Sequence, residues 1–158
     1  MTIRFLLPGK TRELFLQEGY EEYLRRLSRF AKVSLVSLPE ESLPASPSQA
    51  EIQKALDSEA ERALRQIKED DHLFLVDIHG KMLDSSSFAL RLKEVAKTKG
   101  NLVFLLGSSY GLSDRLRAKA DDSFSLSPMT FTHYLALLLT LEQVYRAFKI
   151  NSGEAYDK

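Results

Sequence analysis

Apolar and polar positions along the chain predict strands and helices in alternation. Short apolar runs bounded by turn residues are typical of buried strands, whereas apolar residues at three- and four-residue steps indicate helices. The predicted strands are Thr2–Leu7, Val33–Leu38, His72–Ile78, Leu102–Leu106 and Ser123–Leu126. The predicted helices are Thr11–Phe30, a helix that opens at Ser48, Ser85–Lys99, Leu112–Ala120 and Thr132–Ile150. This alternation predicts an α/β fold, with a parallel-type sheet flanked by helices on both faces.

Local signals predict where individual helices begin, end and face the core. Ser48 and Glu51 have the spacing of a capping box. Gly100 is expected to stop the third helix, because glycine tolerates the left-handed conformation found there. The inward face of the first helix is predicted to carry Leu14, Phe15, Tyr20, Tyr23, Leu24 and Leu27.

The last predicted helix is apolar around most of its circumference. Leucines at 135, 137, 138, 139 and 141 are joined by Val144, Tyr145 and Phe148. A helix of this kind is buried on more than one side. We therefore expect the second side to face a partner subunit in a homodimer.

Length and composition restrict the class of protein. The 158 residues predict a single domain over 1–158. No cysteine is present, and neither a signal peptide nor a membrane span is indicated, so we expect a cytoplasmic protein without membrane contact. Lys plus Arg and Asp plus Glu both total 22, so net charge gives no sign of nucleic-acid binding and does not exclude it. No group of His, Cys and carboxylate residues has metal-ligand spacing.

Two loops of small residues follow the last two predicted strands. The first begins at Gly107 and runs to Leu112, and the second runs from Ser127 to Phe131. Taken singly, the first is equally a tight turn, and the second is equally a helix start capped by Ser127 or Thr130. Together they lie at the carboxyl ends of parallel strands, where such sheets bind ligands. A pocket of backbone groups is therefore expected there.

Three segments carry a resemblance to a known family. They are Phe104 to Leu112, Leu126 to His133, and Glu142 to Tyr156. In these segments, and over its whole length, the chain resembles the small SPOUT-class methyltransferases that modify a pseudouridine of large-subunit ribosomal RNA. The resemblance implies a C-terminal trefoil knot, formed where the last segment threads through an earlier loop.

The resemblance also implies a cofactor, a substrate and a set of contacts. The cofactor is S-adenosylmethionine, and the acceptor is N3 of a pseudouridine in helix 69 of 23S rRNA, within the ribosome. The family's cofactor contacts fall on Val76, Gly107, Leu126, Ser127, Pro128, Met129, Thr130 and Phe131. Family members usually end in a Tyr-His pair, which corresponds to Tyr156 and Asp157 here and lies on the substrate side of the family's active site.

The acceptor chemistry needs a group that removes a proton or stabilises an anion, because an imide nitrogen is protonated at neutral pH. Family members usually have histidine where this chain has Asp157. An exposed aspartate has a pKa of about 4, so it is a weak base at neutral pH. Two further departures from the family pattern are Ser108, where a second glycine is usual, and the segment Thr132-His133-Tyr134, where Pro-His-Gln is usual.

Other polar residues have two readings each. His133 either orients the substrate or a dimer interface, or packs and hydrogen-bonds; His79 lies near the expected pocket mouth, and His72 is expected to be structural. The basic residues Arg146, Lys149 and Lys158 are candidate phosphate contacts or a solvated surface.

Three functions are compatible with these features. The first is an active rRNA methyltransferase. The second is a ribosome- or RNA-binding protein that keeps the cofactor fold without turnover, which the change at Asp157 motivates. The third, without the resemblance, is a doubly wound enzyme using another nucleotide, although no phosphate-binding loop is present.

Overall fold

A computed structural model describes residues 1–156, so Asp157 and Lys158 lie outside the described residues. The strands are β1 (Thr2–Pro8), β2 (Lys32–Leu38), β3 (Asp71–Met82), β4 (Asn101–Leu106) and β5 (Asp122–Ser125). The helices are α1 (Leu14–Leu27), α2 (Gln49–Gln66), α3 (Ser85–Ala96), α4 (Asp114–Lys119) and α5 (His133–Asn151). The predicted order of strands and helices is confirmed.

The five strands form one sheet in the order β2-β1-β4-β3-β5. Every neighbouring pair is parallel. All carboxyl ends therefore lie at the same edge, and the predicted α/β fold with a parallel sheet is confirmed. The trefoil knot stays a prediction.

Helices cover both faces of the sheet. Helices α1, α3 and α5 pack over one face, and α2 and α4 pack over the other. Because successive strand residues point to opposite faces, Phe5 belongs to the first core and Leu6 to the second. The first core contains a stack of rings in which Phe104 lies 5.3 Å from Phe5 and 4.9 Å from Phe74.

Some local expectations are confirmed and others are wrong. Ser48 and Glu51 form the predicted capping box at the start of α2. Leu14 and Phe15 do not face the core; they are 70% and 64% exposed, because the side of α1 that faces the sheet is the one that carries Leu16, Tyr20 and Leu27. Gly100 does not stop α3, which ends at Ala96, and its φ is not positive.

Helix α5 is buried on several sides, as its sequence predicts. It packs against both α1 and α3, and each of its residues is buried or half-buried. Helices of the same chain cover two of its sides, and the expectation of a partner subunit stays a prediction. No helix within residues 1–156 combines the length and hydropathy of a membrane span.

Candidate active site

A pocket of about 920 Å³ lies at the carboxyl edge of the sheet. An irregular part of β3 and the residues that follow β4 and β5 supply most of its wall, and α2 and the start of α5 complete it. Its volume is within the range of about 300–1,000 Å³ that is usual for small-molecule sites. Another depression, of about 750 Å³, is lined by α2 alone and has no opposing wall.

Seven of the eight residues predicted to contact a cofactor line this pocket. They are Val76, Gly107, Leu126, Ser127, Met129, Thr130 and Phe131. Pro128 lies between two of them in sequence but is not part of the lining. Segments far apart in the chain thus meet at one place, as strand ends in a parallel sheet require.

The segment from Gly107 to Gly111 is a tight turn that forms part of the pocket wall. The Ser108 amide donates to the Gly111 carbonyl over 3.1 Å, and the Gly111 amide donates back over 2.9 Å. Gly111 has a φ of 97°, which favours glycine. A Cβ on Gly107 would lie 2.6 Å from the Gly111 carbonyl oxygen. Glycine at 107 therefore keeps the turn closed and leaves backbone groups open to a ligand.

The loop after β5 is fixed by short-range hydrogen bonds. The Ser127 hydroxyl oxygen accepts from the Met129 amide over 3.0 Å, and the Ser125 hydroxyl donates to the Ser127 carbonyl over 2.9 Å. The N-cap of α5 is Thr132, whose side chain accepts from the Leu135 amide. The suggestion of Ser127 or Thr130 as the cap is therefore wrong, because three residues of loop follow Met129 before the helix begins.

An irregular segment of β3 forms a third side of the pocket. Val76 and Lys81 both pair with Phe124 of β5, so the residues between them loop out of the ladder. A Cβ on Gly80 would lie 2.6 Å from the Phe124 backbone, so only glycine permits this approach. The outcome is that His79 lies exposed in the pocket lining.

An ion pair between a buried aspartate and a partly exposed arginine connects this segment to α4. Arg117 Nε donates to Asp77 Oδ2 over 2.7 Å, and the His79 amide donates to Asp77 Oδ1 over 3.2 Å. Burial acts to raise the pKa of Asp77, but these hydrogen bonds outweigh it and hold that pKa below its usual value. Sequence reasoning missed this pair, which spans 40 residues. The sequence feature that could have indicated this pair is the carboxylate that directly follows the apolar run of β3.

His133 lies in the pocket lining and bonds to the end of β1. Its Nε2 is 3.1 Å from the Pro8 carbonyl oxygen and 3.8 Å from Glu40 Oε1. Burial lowers the pKa of His133, and Glu40 and the Pro8 carbonyl offset only part of that change. His72 instead lies outside the pocket, 2.6 Å from Asp122 Oδ2, which agrees with a structural role.

The C-terminal segment lies far from the pocket of its own chain. The Tyr156 ring packs against Tyr145 at 5.2 Å. Tyr145 is twelve residues after His133 along α5, which corresponds to about 18 Å of helix. The structure therefore does not bring Tyr156 and His133 together, and Asp157 lies outside the described residues.

Two of the predicted RNA contacts have intramolecular partners. Arg146 donates to Glu142 over 2.8 Å and lies over the Tyr156 ring at 4.8 Å, and Lys149 pairs with Glu154. Their side chains are 23% and 13% exposed. Lys158 is outside the described range.

Within residues 1–156, no three His, Cys, Asp or Glu residues form a group that could hold a metal ion.

Comparison with known proteins adds independent information. A family model described as "Predicted SPOUT methyltransferase" matches residues 1–157. A Bacillus cereus protein named "Ribosomal RNA large subunit methyltransferase H" is 42% identical, and all of both chains is covered. A protein of the same name from Lactobacillus delbrueckii subsp. bulgaricus is 41% identical, again over all of both chains.

Proposed function

Because this chain belongs to the SPOUT methyltransferase family, we propose that it methylates N3 of a pseudouridine in helix 69 of 23S rRNA. The methyl donor is S-adenosylmethionine, and the substrate is the RNA within an assembled ribosome. The observation that carries the cofactor proposal is the pocket, where Gly107 and the loop from Leu126 to Phe131 meet at the carboxyl edge of the sheet.

The pocket has the shape and chemistry that a small polar cofactor requires. A side chain at position 107 would collide with the Gly111 backbone, so glycine is required for the turn that forms this wall. Apolar side chains such as Leu126 and Phe131 lie next to open backbone groups in the same lining. This combination suits an adenine ring, which needs apolar contact on its faces and hydrogen bonds at its edge.

The residues around the pocket contribute mainly by positioning. When bound, S-adenosylmethionine supplies an electrophilic methyl group on a sulfonium. Holding the acceptor in line with that group removes much of the barrier. The irregular part of β3 and the loops after β4 and β5 are held by hydrogen bonds within the chain, so little order has to be gained on binding.

Removal of the N3 proton falls to a residue near the acceptor. His133 is poorly suited, because burial lowers its pKa and its Nε2 faces the Pro8 carbonyl. We assign it the role of joining α5 to β1 beside the pocket. Asp157, with Tyr156 next to it, remains the proposed catalytic pair from the tail.

The position of the tail supports a homodimer. In its own chain Tyr156 packs on Tyr145, about 18 Å of helix from the pocket lining. A second copy of the chain could bring the tail of one protomer to the pocket of the other. Exposed apolar residues at the start of α1, Leu14 and Phe15, are available for such a contact.

RNA binding by these basic residues requires that they exchange their intramolecular carboxylate partners for RNA phosphates. Arg146 and Lys149 would leave Glu142 and Glu154 for RNA phosphates, and Lys158 would add a third cation. With a net charge of zero, affinity is expected to depend on the shape of the ribosome as well as on charge.

The test of the substrate is mass spectrometry of 23S rRNA from a strain that lacks the gene. Loss of methylpseudouridine, restored by the wild-type gene, is the expected result. An unchanged signal would overturn the substrate proposal. The control is the Gly107→Ala gene, which is expected to fail in restoration because the added Cβ forces open the turn that forms the pocket wall.

A second candidate is a ribosome-binding protein that binds cofactor without turnover. The observation that favours it is Asp157 in place of the family's usual histidine. Calorimetry with S-adenosylmethionine, followed by methylation assays on ribosomes, separates the two. Binding without methyl transfer would support the second candidate, and methyl transfer would exclude it.

A further inference from the structure

A guanidinium group forms one corner of the pocket. Among the described residues that line the pocket, Arg117 is the only Lys or Arg. Its side chain is 35% exposed, so it is accessible to a ligand. Its neighbours in the lining, Asp77 and Asp114, are both bonded to it. This corner therefore presents a positive charge with two carboxylates beside it.

The hydrogen bonds of Arg117 leave part of its donor set available. Nε and Nη2 donate to Asp77 over 2.7 and 3.4 Å, and Nη1 donates to Asp114 over 2.9 Å. A guanidinium has five N–H groups. Within residues 1–156 these bonds use three, which leaves one on each terminal nitrogen. Such a pair of donors matches the two oxygens of a carboxylate.

The two carboxylate partners of Arg117 differ in how firmly they are held. The Asp77 side chain is 5% exposed and also accepts from the His79 amide. The Asp114 side chain is 97% exposed, and exposed ion pairs are weak. A ligand carboxylate can therefore take the place of Asp114 while Asp77 keeps the guanidinium oriented.

We propose that Arg117 binds the α-carboxylate at the amino-acid end of the cofactor and thereby sets the cofactor's orientation. This rests on the proposed function, in which S-adenosylmethionine occupies the pocket. The carboxylate is the only anionic group of that molecule, and Arg117 is the only Lys or Arg in the described lining. Asp77 and Asp114 lie close enough to Arg117 to balance the ammonium of the same amino-acid group.

The test compares S-adenosylmethionine with its decarboxylated analogue by calorimetry. The wild-type chain is expected to bind the intact cofactor about 10- to 100-fold more tightly, as a charge-assisted bidentate contact predicts. The double variant Asp77→Asn/Arg117→Gln avoids an unpaired buried carboxylate, and its preference is expected to fall to about twofold or less.

Two further variants separate recognition from general damage. Arg117→Lys keeps the charge beside Asp77 but loses the paired donors, so its preference is expected to lie between those of the other two proteins. Arg115→Gln changes the same helix at an exposed pair with Glu61, outside the pocket lining, and is expected to keep the wild-type preference. Circular dichroism checks that each variant is folded.

The outcomes distinguish this inference from the cofactor proposal. Equal binding of the two ligands to the wild-type chain would show that the carboxylate is not recognised and lies in solvent. A preference that persists in Arg117→Lys and in the double variant would place the carboxylate elsewhere. Failure of the wild-type chain to bind either ligand would overturn the cofactor proposal, and this inference with it.

Discussion

His133 Nε2 lies 3.1 Å from the carbonyl oxygen of Pro8, which joins the first residue of α5 to the last residue of β1. Because a carbonyl oxygen only accepts, the ring must donate its Nε2–H in this bond. In the neutral ring the remaining nitrogen, Nδ1, is then unprotonated. Two residues that are 125 positions apart in the sequence are thus hydrogen-bonded at the wall of the pocket.

His133 is expected to titrate below the ordinary histidine value of about 6.5. Burial lowers its pKa, whereas the Glu40 carboxylate opposes that change. Replacement Glu40→Gln is therefore expected to lower the pKa of His133 further. NMR titration of the ring protons measures both values. Glu61→Gln, which alters the pair with Arg115, serves as a control that leaves the pKa of His133 unchanged.

The same shift predicts a dependence of stability on pH. The unfolded chain binds a proton at this site more readily than the folded chain, so stability from neutral His133 is complete above about pH 6.5. It is lost as the pH falls from there through the lower folded-state pKa of His133. Urea unfolding at several pH values measures the loss. A His133→Gln variant whose unfolding free energy falls equally over that range would contradict the assignment.

Gly107→Ala is expected to reduce ligand binding in the pocket more strongly than it reduces the stability of the fold. The added Cβ would lie 2.6 Å from the Gly111 carbonyl oxygen, so the turn has to open at a cost of about 1–3 kcal/mol. If that cost is paid on binding, the affinity for the proposed cofactor should fall about 5- to 150-fold. Gly100→Ala is the matched control, because nothing lies within 4 Å of its added Cβ. Calorimetry and urea unfolding of both variants check the difference.

Phe104→Ala is expected to lower the free energy of unfolding by about 3–5 kcal/mol. The ring is fully buried in the central strand and stacks on Phe5 and Phe74. Phe15→Ala removes the same atoms from a ring that is 64% exposed, and its effect on the monomer should be near zero. Equal losses in the two variants would contradict the described core.

Mixing two inactive variants tests whether active sites form between copies of the chain. Gly107→Ala disturbs the turn at the pocket wall, and Tyr156→Ala removes the aromatic part of the tail. In a mixed dimer, one site would combine an intact pocket with an intact tail, so methylation of ribosomes should partly return. Each variant assayed alone gives the baseline. No recovery, with dimers shown by light scattering, would mean that pocket and tail act within one chain.

Asp157→His tests the proposed base. A histidine with a pKa near 6.5 is a stronger base than an exposed aspartate with a pKa near 4. The variant should therefore methylate ribosomes faster at neutral pH, with a rate that rises through about pH 6.5. Rates over a pH series measure this for both proteins. Equal rates throughout would show that position 157 does not remove the proton.

Sequence patterns predicted the elements and two loops of the pocket better than they predicted helix ends and pairings, whereas Val76 was expected in the site only from the family resemblance. The apolar run before Gly107 predicted both a strand and the loop that follows it, because backbone direction alone places strand ends together. The exposed Leu14 and Phe15 were misplaced, because helical spacing alone did not show which of the neighbouring apolar residues at the start of α1 faces the sheet. The pair of Asp77 with Arg117 could not be predicted, because it depends on which strands are neighbours.

The last described segments of the chain supply a wall of the pocket that earlier segments cannot replace. The loop from Ser125 to Thr132 and the first turn of α5 line it opposite Val76 and Gly107. A chain that is still being synthesised, or one cut before residue 122, has no such wall. Binding of the proposed cofactor can therefore begin only after residues 122–136 have been synthesised and have folded against the sheet.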